Sequence, residues 1–369
     1  MSRRRVRALA VGYQGFGNVG DEAILAGIQR LLEGTGIEIT TVVGGDRAPI
    51  PACEHAERIT GRRVLPGLRA LRALRRSDAV ILSGGGLLHD HWPLVVPQYL
   101  AWVVAARLLG CRVAWVGVGI GPLRRRRSRF LTGLALRLST VLLVRDEGSA
   151  ALARATGGRV TAIIPDPAFY LDAPAPVFNV DAPVPAAPPA PALGLVIREP
   201  LPGTADPEGF LDALATAAAD QHTRHGRSTR LLTFAGARDD AYAARLADRL
   251  RARGIPVTVE ALTPDPRTAM TALGACEVLL TVRLHGIILA SVIGLPWATV
   301  SYDDKVAAID GYLGAPDLAI PINAADGPAM AAALDRATAP AQIAALAARR
   351  AAIRTSRDAV ARILEEALG

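Results

Sequence analysis

Cysteine is scarce in this 369-residue chain, with three residues at Cys53, Cys111 and Cys276. An odd, scattered set without paired metal spacing excludes a disulfide framework and points to free thiols in a reducing cytoplasm, with no thiol nucleophile or ligand. Aromatic residues amount to 4%. No basic stretch is interleaved with stacking side chains, which argues against a nucleic-acid partner. Long hydrophobic runs are missing too. The longest uncharged stretch, Leu284 to Tyr302, contains His285 and is broken by Gly294 and Pro296, a pattern of helix, turn and strand rather than a membrane span. Arg3, Arg4, Arg5 and Arg7 lead straight into a strand-like segment, without the apolar stretch and cleavage site of a signal peptide, so a cytoplasmic protein is expected.

What is abundant is material for a core: 51% of residues are hydrophobic and 21% charged, which excludes global disorder. The length suits two domains of common size. The net charge of +8 comes from an arginine excess. Its densest cluster, Arg124 to Arg127 with Arg129, reads either as a solvated loop and helix start or as a contact with phosphates, those at the inner face of the membrane or those of a lipid-linked diphosphate substrate.

Between Asp172 and Leu193 closely spaced prolines remove backbone donors and favour extended chain, so residues 173–192 read as a linker between domains 1–172 and 193–369. Before it, short apolar runs end at Gly12, Val43, Leu82, Val118, Val144 and Ile164 and alternate with helical stretches such as Glu22 to Glu33 and Val95 to Leu109. After it, strands are expected at Leu193 to Ile197, Arg230 to Phe234, Pro256 to Val259, Glu277 to Val282 and Trp297 to Ser301, and Ala331 to Leu368 closes as helix. This βα punctuation predicts an α/β protein of two Rossmann-like domains facing each other across a cleft, similar to the GT-B arrangement.

In such sheets ligands bind beyond the carboxyl ends of the strands. The unusual residues fall there: loops at Gly12 to Glu22, Ser83 to Asp90, Gly117 to Leu123, Arg145 to Ser149 and Pro165 to Phe169, whose glycines allow close backbone approach to a ligand. The first loop contains G-x-G-x-x-G at Gly15, Gly17 and Gly20, with Asp46 ending the next strand-like run, as in dinucleotide sites. Asp21 and Glu22 follow at once, and two carboxylates in the first helical turn repel a pyrophosphate, favouring a hydroxyl-bearing ligand. Asp21 as a plain helix cap stays open. In the second half Arg283 and His285 share a strand-to-helix junction, where a guanidinium fork can clamp a carboxylate or phosphate and an imidazole can move a proton. His89 and His91 flank Asp90. Without a third ligand they read as polar loop contacts, not a metal pair.

The ordered segments G-Y-Q-G-F-G-N-V-G-D-E-A-I-L (Gly12 to Leu25), S-G-G-G-L-L-H-D, G-V-G-I-G-P, V-R-D-E-G-S, D-P-A-F, R-L-H-G-I-I-L-A and S-Y-D-D-K-V (Ser301 to Val306) together resemble the polysaccharide pyruvyl transferase family. The likeness is strongest to the bacterial branch that pyruvylates secondary cell-wall polymers for docking of S-layer-homology proteins. The family's apolar-Pro-Met-Gln strand end is replaced by L-L-T-F-A-G-A-R-D-D, ending at Asp240. The resemblance implies transfer of the pyruvyl group of phosphoenolpyruvate onto a lipid-linked or polymeric saccharide, of N-acetylmannosamine type, as a cyclic ketal with release of phosphate. It implies no metal and no bound cofactor. On this reading His285 transfers the proton, Arg283 and Arg145 hold phosphoenolpyruvate with help from the Gly84, Gly85 and Gly86 amides, and Asp21 with Asn18 orients or deprotonates the acceptor. Gly17 and Asp90 complete the expected binding set. For Arg145 an ion pair with Asp146 or Glu147 is the alternative. A nucleotide-sugar glycosyltransferase and a non-catalytic saccharide-binding protein are the competing functions.

Overall fold

Val141–Val144 and Val278–Thr281 are buried at every position, as expected of parallel strands covered by helices on both faces. The computed structural model describes residues 5–44, 56–59, 67–174, 191–198, 204, 206–302 and 312–369. Asp46, Cys53, most of the proline-rich segment and residues 303–306 of S-Y-D-D-K-V lie outside the described residues. The chain divides into two compact units, one made of Met1–Leu171 with Ile353–Gly369 and the other of Asp172–Ala352.

The first unit runs β1 (Val6–Val11), α1 (Val19–Leu32), β2 (Ile37–Gly44), β3 (Ala56–Ile59), α2 (Leu68–Arg75), β4 (Ala79–Leu88), α3 (Val95–Leu108), β5 (Arg112–Ile120), α4 (Arg126–Arg137), β6 (Val141–Val144), α5 (Glu147–Ala155) and β7 (Ala162–Ile163). Its seven strands are parallel in the order β3-β2-β1-β4-β5-β6-β7. The second unit runs β8 (Ala192–Val196), α6 (Pro207–His225), β9 (Ser228–Thr233), α7 (Ala237–Ala252), β10 (Val257–Ala261), α8 (Pro266–Gly274), β11 (Val278–Thr281), α9 (Leu284–Ile293), β12 (Trp297–Ser301), β13 (Ala319–Pro321) and α10 (Gly327–Ala337). Its six parallel strands take the order β10-β9-β8-β11-β12-β13. Each sheet therefore reverses direction once, between β1 and β4 and between β8 and β11. Such a reversal splays the following loops apart and opens a crevice at the strand ends.

Three expectations change. The helix expected from Ala331 to Leu368 is three helices: α10, α11 (Pro340–Thr355) and α12 (Arg357–Leu368). Pro340 has no N–H to continue an incoming helix and opens α11 instead. Nor do all residues after 193 pack with the second sheet. In α12, Val360, Leu364 and Leu368 recur at helical spacing and are buried in the first unit's core with Ile24, Ile28 and Leu31 of α1. Finally, Ser83 to Leu88 and Gly117 to Ile120 are not loops but extensions of β4 and β5, paired from Ala79↔Arg112 to Leu88↔Ile120 with a register shift after Gly85. The glycines bend these strands without ending them.

Candidate functional site

In the first unit, the turn between β1 and α1 is shaped by glycines with positive φ, Gly15 at 84° and Gly17 at 80°. Asn18 caps α1: its Oδ1 accepts the Gly20 N–H at 3.2 Å, and its Nδ2 donates to Asp21 Oδ2 at 2.6 Å. The cap role is thus taken by Asn18, leaving Asp21 half-buried beside it. Gln14 is buried and donates through Nε2 to Ser83 Oγ, which ties the turn to β4. Glu22 accepts the Gly15 N–H at 2.7 Å through Oε1.

β4 continues past its last pairing with β1, Val11↔Leu82, so from Ser83 to Leu88 only β5 pairs with it. The side of this glycine segment turned from β5 faces the crevice. A Cβ at Gly85 would stand 3.8 Å from Asp21 Oδ1, and one at Gly119 would stand 3.3 Å from the Gly85 carbonyl and 2.8 Å from Arg145 Nη2. Glycine at 85 and 119 thus lets Asp21, the Gly85 carbonyl and Arg145 pack closely across the strand ends.

Arg145 is almost sealed, with 5% of its side chain exposed, and binds Asp166 Oδ2 at 3.2 Å and Asp146 Oδ2 at 3.6 Å. Of the two partners anticipated, Asp146 is present, while Glu147 pairs with Arg154. The principal partner, Asp166 of D-P-A-F, lies 21 residues away and shows no local spacing rule. Arg145 Nη2, packed against Gly119, is buried and has no hydrogen-bond partner among the described residues. Tyr99 closes the floor. Burial foremost, then the Asp21 and Tyr13 charges, raise its pKa, keeping the phenol protonated near the acid.

Asp90 is used elsewhere. Its Oδ2 accepts the Arg125 N–H at 2.7 Å and its own N–H binds the Pro122 carbonyl at 3.0 Å, so it holds the start of α4. Burial pushes its pKa up, but the Arg125 and Arg124 N–H groups outweigh this and leave it below the usual range. His89 and His91 pack against each other with ring centroids 5.1 Å apart, and His89 Nδ1 accepts the His91 N–H at 3.3 Å.

The second crevice is lined by the ends of β8, β9, β11 and β12. Thr281 Oγ1 accepts the Arg283 N–H at 3.0 Å, fixing the turn into α9. A Cβ at Gly286 would come within 2.2 Å of that hydroxyl, so the first turn of α9 can close only on glycine. His285 sits in this turn, half-buried, two residues past Arg283. The Arg283 guanidinium pairs with Asp239 of α7, while its Nε is buried with no hydrogen-bond partner among the described residues. Across the reversal point Arg198 follows β8, its Nη1 donates to the Tyr302 hydroxyl at 3.1 Å, and its Nε is likewise unsatisfied. Burial lowers the Arg283 pKa most; Asp239 opposes it, and Arg198 lowers it further. Among the described residues two cations face one carboxylate here, with two N–H donors unmet. That is the electrostatics of an anion seat.

A model of the polysaccharide pyruvyl transferase family matches residues 18–304. The chain belongs to the polysaccharide pyruvyl transferase family. No curated protein matches it. Solved structures resemble this family member in fold. UDP-GlcNAc 2-epimerase from Neisseria meningitidis bound to UDP-GlcNAc aligns with TM-score 0.61 at 10% identity, covering 98% of this chain and 100% of that one. The S. aureus MnaA–UDP complex aligns with TM-score 0.60 at 12% identity, covering 98% and 96%. The glycosyltransferase of kitacinnamycin gives TM-score 0.55 at 15% identity, covering 99% and 100%. At these identities the likeness is one of fold, a two-domain α/β fold of the GT-B kind.

Sequence reasoning missed Arg198 and the pairing role of Asp239. Arg198 lies two residues past the end of β8 at a reversal point, a signal that becomes readable only when the strand order is known. Asp239 was visible within L-L-T-F-A-G-A-R-D-D, but its partner is 44 residues distant.

Proposed function

We propose that this transferase moves the pyruvyl group of phosphoenolpyruvate onto a saccharide diol as a cyclic ketal, with release of phosphate. What carries the reading is the seat at the second reversal point, where Arg198 and Arg283 present unmet N–H donors beside His285. Phosphoenolpyruvate carries a carboxylate and a phosphate close together, and two guanidiniums against one carboxylate match that charge. In the reaction the vinyl methylene gains a proton to become methyl. Two sugar oxygens bond to the adjacent carbon, and its bond to the phosphate oxygen breaks. The two hydroxyl protons end on the methyl carbon and the phosphate. His285 is the proposed proton donor to carbon, and Arg283 with Arg198 holds the anion. Within the first unit, Asn18 and Asp21, with Gly17 and the Gly84 to Gly86 backbone, are the groups that suit a hydroxyl-bearing ligand. The cell-wall-polymer branch and a lipid-linked acceptor are the finer form of this proposal.

The test is incubation with labelled phosphoenolpyruvate or labelled nucleotide sugar and a saccharide acceptor, with phosphate release and product mass as readouts. Pyruvyl label in product, lost in His285→Ala, is expected. Sugar label in product would replace this reading with glycosyl transfer, and normal turnover of His285→Ala would remove His285 from the chemistry.

A further inference from the structure

Three large apolar side chains of the first unit stand in water: Trp92 is 70% exposed, Leu94 75% and Phe130 66%. Single exposed apolar residues are ordinary, but these belong to two segments tied together. The Trp92 and Leu94 segment follows β4, Phe130 lies in α4 after β5, and Asp90 joins them through the Arg125 N–H at 2.7 Å and the Pro122 carbonyl at 3.0 Å. On the same joined segments Arg124, Arg125, Arg126, Arg127 and Arg129 are all exposed. None of the five forms a side-chain ion pair among the described residues, whereas Arg5, Arg7 and Arg154 of the same unit do. Unneutralised cations beside exposed apolar side chains define both chemistries of a lipid interface, phosphate outside and acyl chain inside.

We propose that this edge is a membrane-docking surface, in which the arginines bind anionic lipid headgroups and Trp92, Leu94 and Phe130 enter the interface. Trp is the side chain best suited to that depth, with a wide apolar ring and one N–H donor. Five like charges on adjoining positions repel one another, with Asp90 the carboxylate held at their base, and an anionic surface would relieve that repulsion. The proposal does not depend on the reaction assigned above, since none of these residues is placed in that site.

The experiment is cosedimentation of the full chain with phosphatidylcholine vesicles and with vesicles also containing phosphatidylglycerol. The protein is expected to bind the anionic vesicles and release as salt rises. R124A/R126A/R127A should weaken this by about two orders of magnitude, from roughly a factor of five per arginine. L94S/F130S should weaken it at least about tenfold through lost apolar burial. Trp102, Trp115 and Trp297 are buried, so quenching of tryptophan emission by brominated acyl chains reports on Trp92. Quenching in anionic vesicles is expected. Absence of binding, equal binding to neutral vesicles, or binding without quenching would overturn the proposal, the last pointing to a soluble polyanion as the occupant. The altered side chains are exposed, and an unchanged thermal midpoint of each variant shows that folding is not the cause of any loss.

Discussion

Glu22 accepts the Gly15 N–H at 2.7 Å, so a carboxylate in the first turn of α1 pins the glycine turn that precedes its own helix. Burial raises the Glu22 pKa most, the Gly15 bond lowers it and the Asp21 charge raises it again, leaving it at about 7. The folded protein therefore binds this proton more tightly than the unfolded chain. The group adds no penalty below the ordinary carboxyl value of 4.5, costs stability progressively as pH rises to about 7, and adds a constant penalty above, on the order of 3 kcal/mol. Glu22→Gln keeps an oxygen for Gly15 and removes the titration. Thermal midpoints measured from pH 5 to 8 should decline less steeply in the variant, which should be the more stable protein at pH 8. Parallel curves would show that Glu22 does not titrate in this window.

Asp166→Ala strands the Arg145 guanidinium with Asp146 alone at 3.6 Å, in a place where water does not reach. Breaking a buried ion pair from one side costs about 3 to 5 kcal/mol. Urea denaturation should show that loss, whereas Glu147→Ala, which removes an exposed partner of Arg154, should change stability by less than about 1 kcal/mol.

Gly27 and Gly36 give a paired steric test. A Cβ at Gly27 would come within 2.0 Å of the Pro167 carbonyl, while one at Gly36 meets nothing within 4 Å. Gly27→Ala must push α1 away from the D-P-A-F segment and should cost about 1 to 3 kcal/mol. Gly36→Ala should be neutral or slightly stabilising, by about 0.4 to 1 kcal/mol at most. Equal midpoints for the two variants would contradict the close packing.

Arg198→Ala removes one guanidinium of the anion seat without touching the turn that carries His285. A hydrogen bond to a charged group contributes about 1.5 to 3 kcal/mol, so the KM for phosphoenolpyruvate should rise roughly 10- to 100-fold with kcat little changed. His285→Ala should do the reverse. A fall in kcat alone for Arg198→Ala would place that residue in the chemical step.

The alternation of strands and helices was legible because buried parallel strands are written as continuous apolar runs, and the segments ending at Leu82, Val144 and Ser301 illustrate it. The strand order was not, and with it went Arg198, whose meaning comes from lying at a reversal point. Glycine punctuates turns, so Ser83 to Asp90 and Gly117 to Leu123 read as loops, yet pairing between β4 and β5 carries the backbone on to Leu88 and Ile120. Arg145 was legible as a charged residue at a strand end. Its partner Asp166 was not, because an ion pair across 21 residues follows from packing rather than spacing. The break of the last helical stretch at Pro340 was readable from proline chemistry alone. The return of Val360, Leu364 and Leu368 to the first core was not, since an apolar stripe says that a helix is covered but not by what.

That returning helix has a consequence for biosynthesis. A ribosome delivers the first sheet early, but with the flank over Ile24, Ile28 and Leu31 still bare of Val360, Leu364 and Leu368. The portion of the chain translated first thus waits for a helix more than 300 residues later, and until that helix emerges it presents a greasy face that a chaperone could shield.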